Sequence, residues 1–273
     1  MRSGRWVSGL LGTWSALVIA FLWLPILVVV AHSFNEGRFL ARWDGFGTRW
    51  YSTALESDAI RRTVRTSLEA ASLAAVVAVV LGSLAGLALA RRGGWWSRPF
   101  TVVVLLVLVT PEIVDAIAVL IWFVRIDLDH GLARLVVGHS VFGTALVTLV
   151  VRARLEGLDE SLEEAAADLG ANHLDVFRHV TLPLMLPAVV AGGLLAFTFS
   201  VDDVVVSSFV STAGRSTFPV YVFSALRTGL RGDLAAAATL VLVLTLVVLA
   251  VCAALLRRGG SSSTDVVETI AGG

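Results

Sequence analysis

Glu112 and Asp115 interrupt one long apolar run of this chain, and Asp202 and Asp203 interrupt another. An ionised carboxylate near the centre of a membrane helix costs about 2.5–3.5 kcal/mol on insertion scales, so such residues face a cavity or a partner. Glu112 and Asp115 are spaced i, i+3, which puts both on one helical face just after Pro111. Pro111 frees a backbone carbonyl one turn earlier, and a kink is expected there. Glu112 lies about twelve residues into its run, near the bilayer midplane at about 1.5 Å per residue. Carboxylates spaced along a pore can replace the water shell of a cation one group at a time, and conduction needs such weak, multiple sites. Other readings stay open. Asp202 and Asp203 could mark the interfacial end of a span, with residues 204–210 as a loop, and Asp115 could answer an arginine or a backbone amide.

A second constellation suits contact with another protein. Residues 152–183 form the longest charged stretch between apolar runs. Ser161-Leu162-Glu163-Glu164 reads as a capping box, with Ser161 accepting from an early amide and Glu164 reaching back. Leu162, Ala165, Ala166 and Leu169 then share a face, and Gly170 supplies a left-handed stop. Asn172 with Asp175 starts a second short helix, which Pro183 is expected to separate from the following span. The product is helix, turn, helix, with small alanines that let a partner approach closely. An ordinary connector is the competing reading.

The elements that must position these groups are membrane spans. Apolar residues make up 57% of the chain and charged residues 15%, far from the usual soluble balance. Six uninterrupted apolar runs cover 10–31, 67–90, 100–124, 132–151, 184–210 and 234–256. Each reaches the roughly 20 residues a helix needs to cross about 30 Å of hydrocarbon. None alternates as a barrel strand would, so the chain is expected to be all-α and integral to a membrane, with six transmembrane helices. The first run follows Arg2 and Arg5, but it is too long for a signal peptide and lacks a cleavage site, so it is expected to be a retained span. Six spans put both termini on one side.

Orientation is not settled by charge. Arg91, Arg92 and Arg98 after the second run, and Arg257 and Arg258 after the sixth, favour those ends inside. The first loop carries Arg38, Arg42, Arg49, Arg61, Arg62 and Arg65, balanced in part by Glu36, Asp44, Glu56 and Asp58. The net charge is zero, which gives no pull toward nucleic acid. Cys252 stands alone, so no disulfide or thiolate cluster forms. His130, His139, His173 and His179 share no metal-ligand spacing, and no phosphate-binding loop or nucleophile–base set appears. The chain reads as neither an enzyme nor an ATP binder. Gly82 and Gly86, with Gly192 and Gly193, read as close helix contacts, and Trp50 and Tyr51 as interface-belt aromatics. Residues 257–273 are expected to be a disordered tail.

Glu164-Ala165-Ala166, Gly170, Val180, Leu182 and Pro183 match the spacing of the EAA loop in permease subunits of binding-protein-dependent ABC importers, with valine where isoleucine is usual. From 10 to 256 the chain resembles one branch of that family, the second permease subunit of spermidine/putrescine importers. The specific pieces are Phe46-Gly47-Thr48-Arg49-Trp50-Tyr51-Ser52, Thr110-Pro111-Glu112-Ile113-Val114, and the segment from Phe197 to Phe209 around Asp202-Asp203. Glu112 stands where relatives carry Asp.

The resemblance implies a type I ABC importer permease fold in a bacterial inner membrane, with loop 152–183 and both termini cytoplasmic. It implies a homologous permease partner, two copies of an ATPase that bind ATP and magnesium, an extracytoplasmic substrate-binding protein, and a polyamine cargo. The chain itself would need no cofactor. Pathway residues are then expected at Glu112, Asp115, Ser200, Asp202, Asp203 and Trp50, and ATPase contacts at Glu164, Ala165, Ala166, Gly170, Leu182 and Pro183. Another cargo (a metal chelate, thiamine or a small organic solute) is the near alternative. A stand-alone proton-coupled transporter is the more distant one, and it should show repeat symmetry that this chain lacks.

Overall fold

The computed structural model describes residues 3–38, 42–229 and 231–258, and no strand forms among them. Long apolar segments fold as helices because lipid offers backbone groups no other partner. Helices α1 (Ser3–His32), α3 (Asp58–Arg91), α6 (Gly131–Glu156) and α12 (Gly232–Arg258) are each long and apolar enough to cross a membrane. So is the run His173–Asp202, which ends in α9 (Leu182–Asp202). Of the expected disordered tail at 257–273, Arg257 and Arg258 instead close α12; residues 259–273 lie outside the described ones.

The third apolar run is not one helix. It divides into α4 (Ser97–Val109) and α5 (Glu112–Arg125), bent by 108°, where a kink had been expected. Thr110 and Pro111 are both extended, at ψ 134° and 128°. The residue before a proline is pushed out of the helical region, and Pro111 has no amide to continue the ladder. Thr110 closes α4 through its amide and hydroxyl, both donating to the Leu106 carbonyl, while the Pro111 carbonyl receives the Val114 amide and opens α5. Glu112 therefore stands at a helix break and not within a continuous helix. It is the first residue of a new helix.

The bent pair still makes one net crossing. Arg152, near the end of α6, donates to Thr101 near the start of α4 at 2.9 Å. The Arg134 guanidinium, near the start of α6, stands 5.7 Å from the ring centre of Phe123 near the end of α5. Together α4 and α5 thus run beside α6 from Arg152 back to Arg134, about 27 Å at roughly 1.5 Å per residue. With this pair counted once, the described residues hold six segments long and apolar enough to cross a membrane.

The chain divides into two compact units. In the one formed by Met1–Arg61 and Ser224–Leu244, the first loop carries α2 (Arg49–Glu56). Buried Asn35 organises that loop: its amide donates to the Arg42 carbonyl at 2.6 Å, and its oxygen accepts from the amides of Gly37 and Asp44. Trp50 donates to the Gly37 carbonyl at 3.1 Å and lies under the Arg49 guanidinium.

In the unit formed by Arg62–Phe223 and Thr245–Gly273, α3, α6 and α9 meet through Ala78, Val147, Val151, Leu155, Met185 and Ala196. A Cβ at Gly82 would lie 2.9 Å from the Thr144 carbonyl oxygen, and one at Gly86 2.8 Å from that of Thr148. The glycine pair therefore lets α3 press against the backbone of α6.

Candidate functional site

The break after α9 creates the first half of the site. Asp203 is extended, at ψ 123°, and ends α9; a short helix α10 (Val205–Val210) follows. Residues 204–210 are therefore mostly helical and packed, with Val206 and Val210 buried against Ala116, Phe123 and Leu135 and Ser207 buried against His139, so the loop reading fails. Asp203 fastens the new helix by accepting the Ser207 amide at 2.7 Å. The second half comes from the break before α5, where Glu112 and Asp115 occupy the first turn of the new helix.

These breaks open onto a cavity of about 230 Å³ lined by Glu112, Asp115, His139, Ser200 and Asp203, with Phe142 and Phe199 among its apolar walls. Those two rings meet edge to face at 5.4 Å. Three carboxylates and no arginine line the space, so its field favours a cation. Asp203, Asp115 and Asp202 are the acidic neighbours of Glu112. Such a set fits ammonium groups, which take carboxylates for charge and aromatic faces for their flanks.

The expected pathway residues divide accordingly. Glu112, Asp115, Ser200 and Asp203 line this one cavity, whereas Asp202 is exposed and does not. Trp50 belongs to the other unit, where it packs on the first loop. His139 is the member that spacing did not single out. Its side chain is 2% exposed, with Nδ1 2.6 Å from the Ser200 hydroxyl and Nε2 3.0 Å from that of Ser207. Its only sequence signal is a titratable residue between Gly138 and Ser140, deep in an apolar run.

The expected docking loop is built differently from its capping-box reading. Helix α7 (Ser161–Asp168) has Glu160 at its N-cap, and neither Ser161 nor Glu164 closes a reciprocal pair. Asp159 serves instead, accepting the Ser161 amide at 3.0 Å, and the Ser161 amide and hydroxyl hold its carboxyl below the usual range. Ser161 lies one position too far into the helix to cap it.

Glu164 is exposed, while Glu163 is the engaged acid, taking hydrogen bonds from Arg91 and from the Thr181 hydroxyl at 2.9 Å. Gly170 ends α7 at φ +90°: its amide donates to Ala167 and that of Ala171 to Ala166, the paired bonds of a Schellman close.

Asn172 caps α8 (His173–Val176) through the amides of Leu174 and Asp175. Pro183 does not separate this helix from the span. A wider π-turn over Phe177–Thr181 carries the helix through, with the Leu182 amide reaching back to the Phe177 carbonyl, and Pro183 sits in the first turn of α9. The widened turn accommodates the proline ring and its missing amide, which a regular helix interior would not. Leu182 packs onto the core of its unit. Leu162 and Leu169 stay exposed, Leu169 to 90%.

Known proteins resemble this chain in sequence and in fold. Residues 78–259 match the family described as binding-protein-dependent transport system inner membrane component. The putrescine transport system permease protein PotI of Escherichia coli strain K12 is 41% identical over 231 residues, 82% of each chain. The spermidine/putrescine transport system permease protein PotC of the same strain is 37% identical over 230 residues, 84% of this chain and 87% of that one.

The fold also recurs in a bacterial ABC transporter involved in the import of the acidic polysaccharide alginate. There the TM-score is 0.75 at 15% identity, over 94% of this chain and 96% of that one. A chain of the MetNI methionine ABC transporter gives 0.63 at 18% identity, over 75% and 100%. The chain is thus a non-enzymatic, multi-pass membrane subunit, and it belongs to the inner-membrane components of binding-protein-dependent transport systems.

Proposed function

We propose that this chain forms half of the translocation pathway of an ATP-driven polyamine importer. The cavity that gathers Glu112, Asp115 and Asp203 without an arginine carries the reading. A polyamine is a slender chain of separated ammonium groups, and acids at two helix breaks can pass those groups along. At about 230 Å³ the space is smaller than the roughly 300–1,000 Å³ of typical small-molecule pockets, which suits a thin cation better than a bulky metal chelate. The relatives named for putrescine and spermidine support the same cargo.

The chain would work with a homologous permease, two copies of an ATP- and magnesium-binding subunit, and an extracytoplasmic binding protein. Loop 152–183 and both termini would face the cytoplasm. The exposed Leu162, Ala165 and Leu169, beside exposed Glu164, form the face offered to the ATPase. Nucleotide-driven movement of α7 would then reach the spans and bias the cavity between its outward and inward states.

The deciding experiment is uptake of labelled putrescine and spermidine into vesicles holding all four components. Glu112→Gln with Asp203→Asn should cut uptake at least about tenfold, the scale of losing one charge pair of about 1.4 kcal/mol. Uptake by that double variant at the parental rate would refute the acidic-pathway reading.

A further inference from the structure

His139 belongs to α6, yet its ring nitrogens contact residues on either side of one helix break. Ser200 lies before that break, Asp203 at it, and Ser207 after it. The Nδ1 atom meets the Ser200 hydroxyl at 2.6 Å; Nε2 meets the Ser207 hydroxyl at 3.0 Å and lies 3.5 Å from Asp203 Oδ1. The same carboxylate oxygen accepts the Ser207 amide at 2.7 Å.

Gly138 makes this approach possible. A Cβ there would lie 3.1 Å from Val206, so α10 rests close against α6. A span that needed only packing would take Leu or Val at position 139, because a buried imidazole must find partners for both ring nitrogens. Here it finds them on opposite sides of the break.

We propose that His139 is a positioning residue, a clasp that fixes the angle between α9 and α10 and so aims the Asp203 carboxylate into the cavity. The functional consequence rests on the cation-pathway reading, in which Asp203 receives ammonium groups. Asp203 is held directly by the Ser207 amide. The imidazole of α6 holds the Ser207 hydroxyl and stands 3.5 Å from the carboxylate, so it fixes Asp203 through the start of α10. Loss of the imidazole loosens the start of α10 and lets the carboxylate turn toward other donors or solvent.

The test uses the assembled four-component complex in proteoliposomes, supplied with excess loaded binding protein. His139→Leu is expected to lower putrescine taken up per ATP hydrolysed about fivefold, the scale of one lost hydrogen-bond coupling, with ATP turnover changed less than about twofold. In an Asp203→Asn background the same substitution should add nothing, since residues acting as one unit are non-additive. His139→Gln, which can still bridge two partners, should recover most of the loss.

A second readout needs no cargo. Labelling of Asp203 by a membrane-permeant carbodiimide, followed by mass spectrometry, should change about threefold or more in His139→Leu and in the same direction in Ser207→Ala, as a freed carboxylate samples new surroundings. Unchanged labelling in both variants overturns the clasp, as does an undiminished His139→Leu effect in the Asp203→Asn background. If His139→Leu fails to assemble, Ser207→Ala decides by the same measurements. If labelling shifts but the parental complex moves no polyamine, the clasp stands and the cargo reading falls.

Discussion

Arg91 and Glu163, 72 residues apart, are joined by a forked contact: Nε and Nη2 of the arginine both donate to Glu163 Oε1 at 3.3 Å. Arg91 ends α3, and its remaining nitrogen donates to the Leu155 carbonyl at 3.1 Å and to Glu160 at 3.0 Å. Glu163 in turn accepts from Thr181 in the π-turn that leads into α9. One guanidinium therefore ties the ends of α3 and α6 to α7, and one carboxylate ties α7 to α9. With side chains 13% and 22% exposed, the pair is sheltered enough to matter.

Arg91→Met should destabilise by about 1.5–3 kcal/mol, since it removes hydrogen bonds to a charged partner and leaves a carbonyl unpaired. In the proposed importer it should also reduce uptake per ATP hydrolysed, because movement of α7 would no longer pull α3. Thermal unfolding of the purified complex and paired uptake and ATPase assays measure both effects. Additive losses from Arg91→Met and Glu163→Gln would show that the two side chains do not act together.

Gly170 offers a test free of steric crowding. A Cβ there meets nothing within 4 Å, yet φ is +90°. Gly170→Val should therefore cost about 1–2 kcal/mol of local strain through the backbone alone, and Gly170→Asn should cost less. Association of the ATPase with the permease, measured by co-purification, should weaken in the order Gly, Asn, Val. Equal recovery for all three would remove the requirement for this turn in docking.

The spans were legible because hydrocarbon leaves the backbone one solution, so runs such as 67–90 and 132–151 announce helices without reference to neighbours. The left-handed turn at Gly170 and the cap at Asn172 were legible for a similar reason: each depends on local stereochemistry. Whether Pro111 kinks or divides a helix was not local. The same residue type sits within a continuous helix at Pro187, so the outcome at Pro111 depends on Thr110 turning extended and on what α6 packs against each half. Pro183 misled for the complementary reason, as a π-turn absorbed it. His139 was invisible because its meaning lies in Ser200, Asp203 and Ser207, which stand 61 and more positions away and converge only after α9 breaks.

Gly82 sets a packing prediction. Gly82→Ala puts a methyl 2.7 Å from Val147 Cβ and 2.9 Å from the Thr144 carbonyl oxygen, both on α6. Overpacking of this kind costs about 1–3 kcal/mol, and backbone atoms yield less readily than flexible side-chain ends. Gly93→Ala, whose Cβ would meet nothing within 4 Å, is the matched control and should leave the unfolding midpoint in place. A Gly82→Ala protein as stable as the control would mean that α3 and α6 do not need this close approach.

Trp50 distinguishes a packing residue from a pathway residue. Its indole donates to the Gly37 carbonyl, lies 4.4 Å below the Arg49 guanidinium, and fills the space that a Cβ on Gly232 would need. All of these contacts lie within one unit and serve to fix the first loop. Trp50→Phe keeps the ring but orphans the Gly37 carbonyl, a loss of about 1 kcal/mol. Trp50→Ala also removes the aromatic packing and should cost several times more, toward the roughly 3–5 kcal/mol of large aromatic truncations. Gly232→Ala must displace the indole and should resemble Trp50→Ala in unfolding midpoint. If Trp50 acts through packing, cargo discrimination between putrescine and spermidine stays constant across all three variants while stability falls. A change in that discrimination in Trp50→Phe at parental stability would return Trp50 to the pathway.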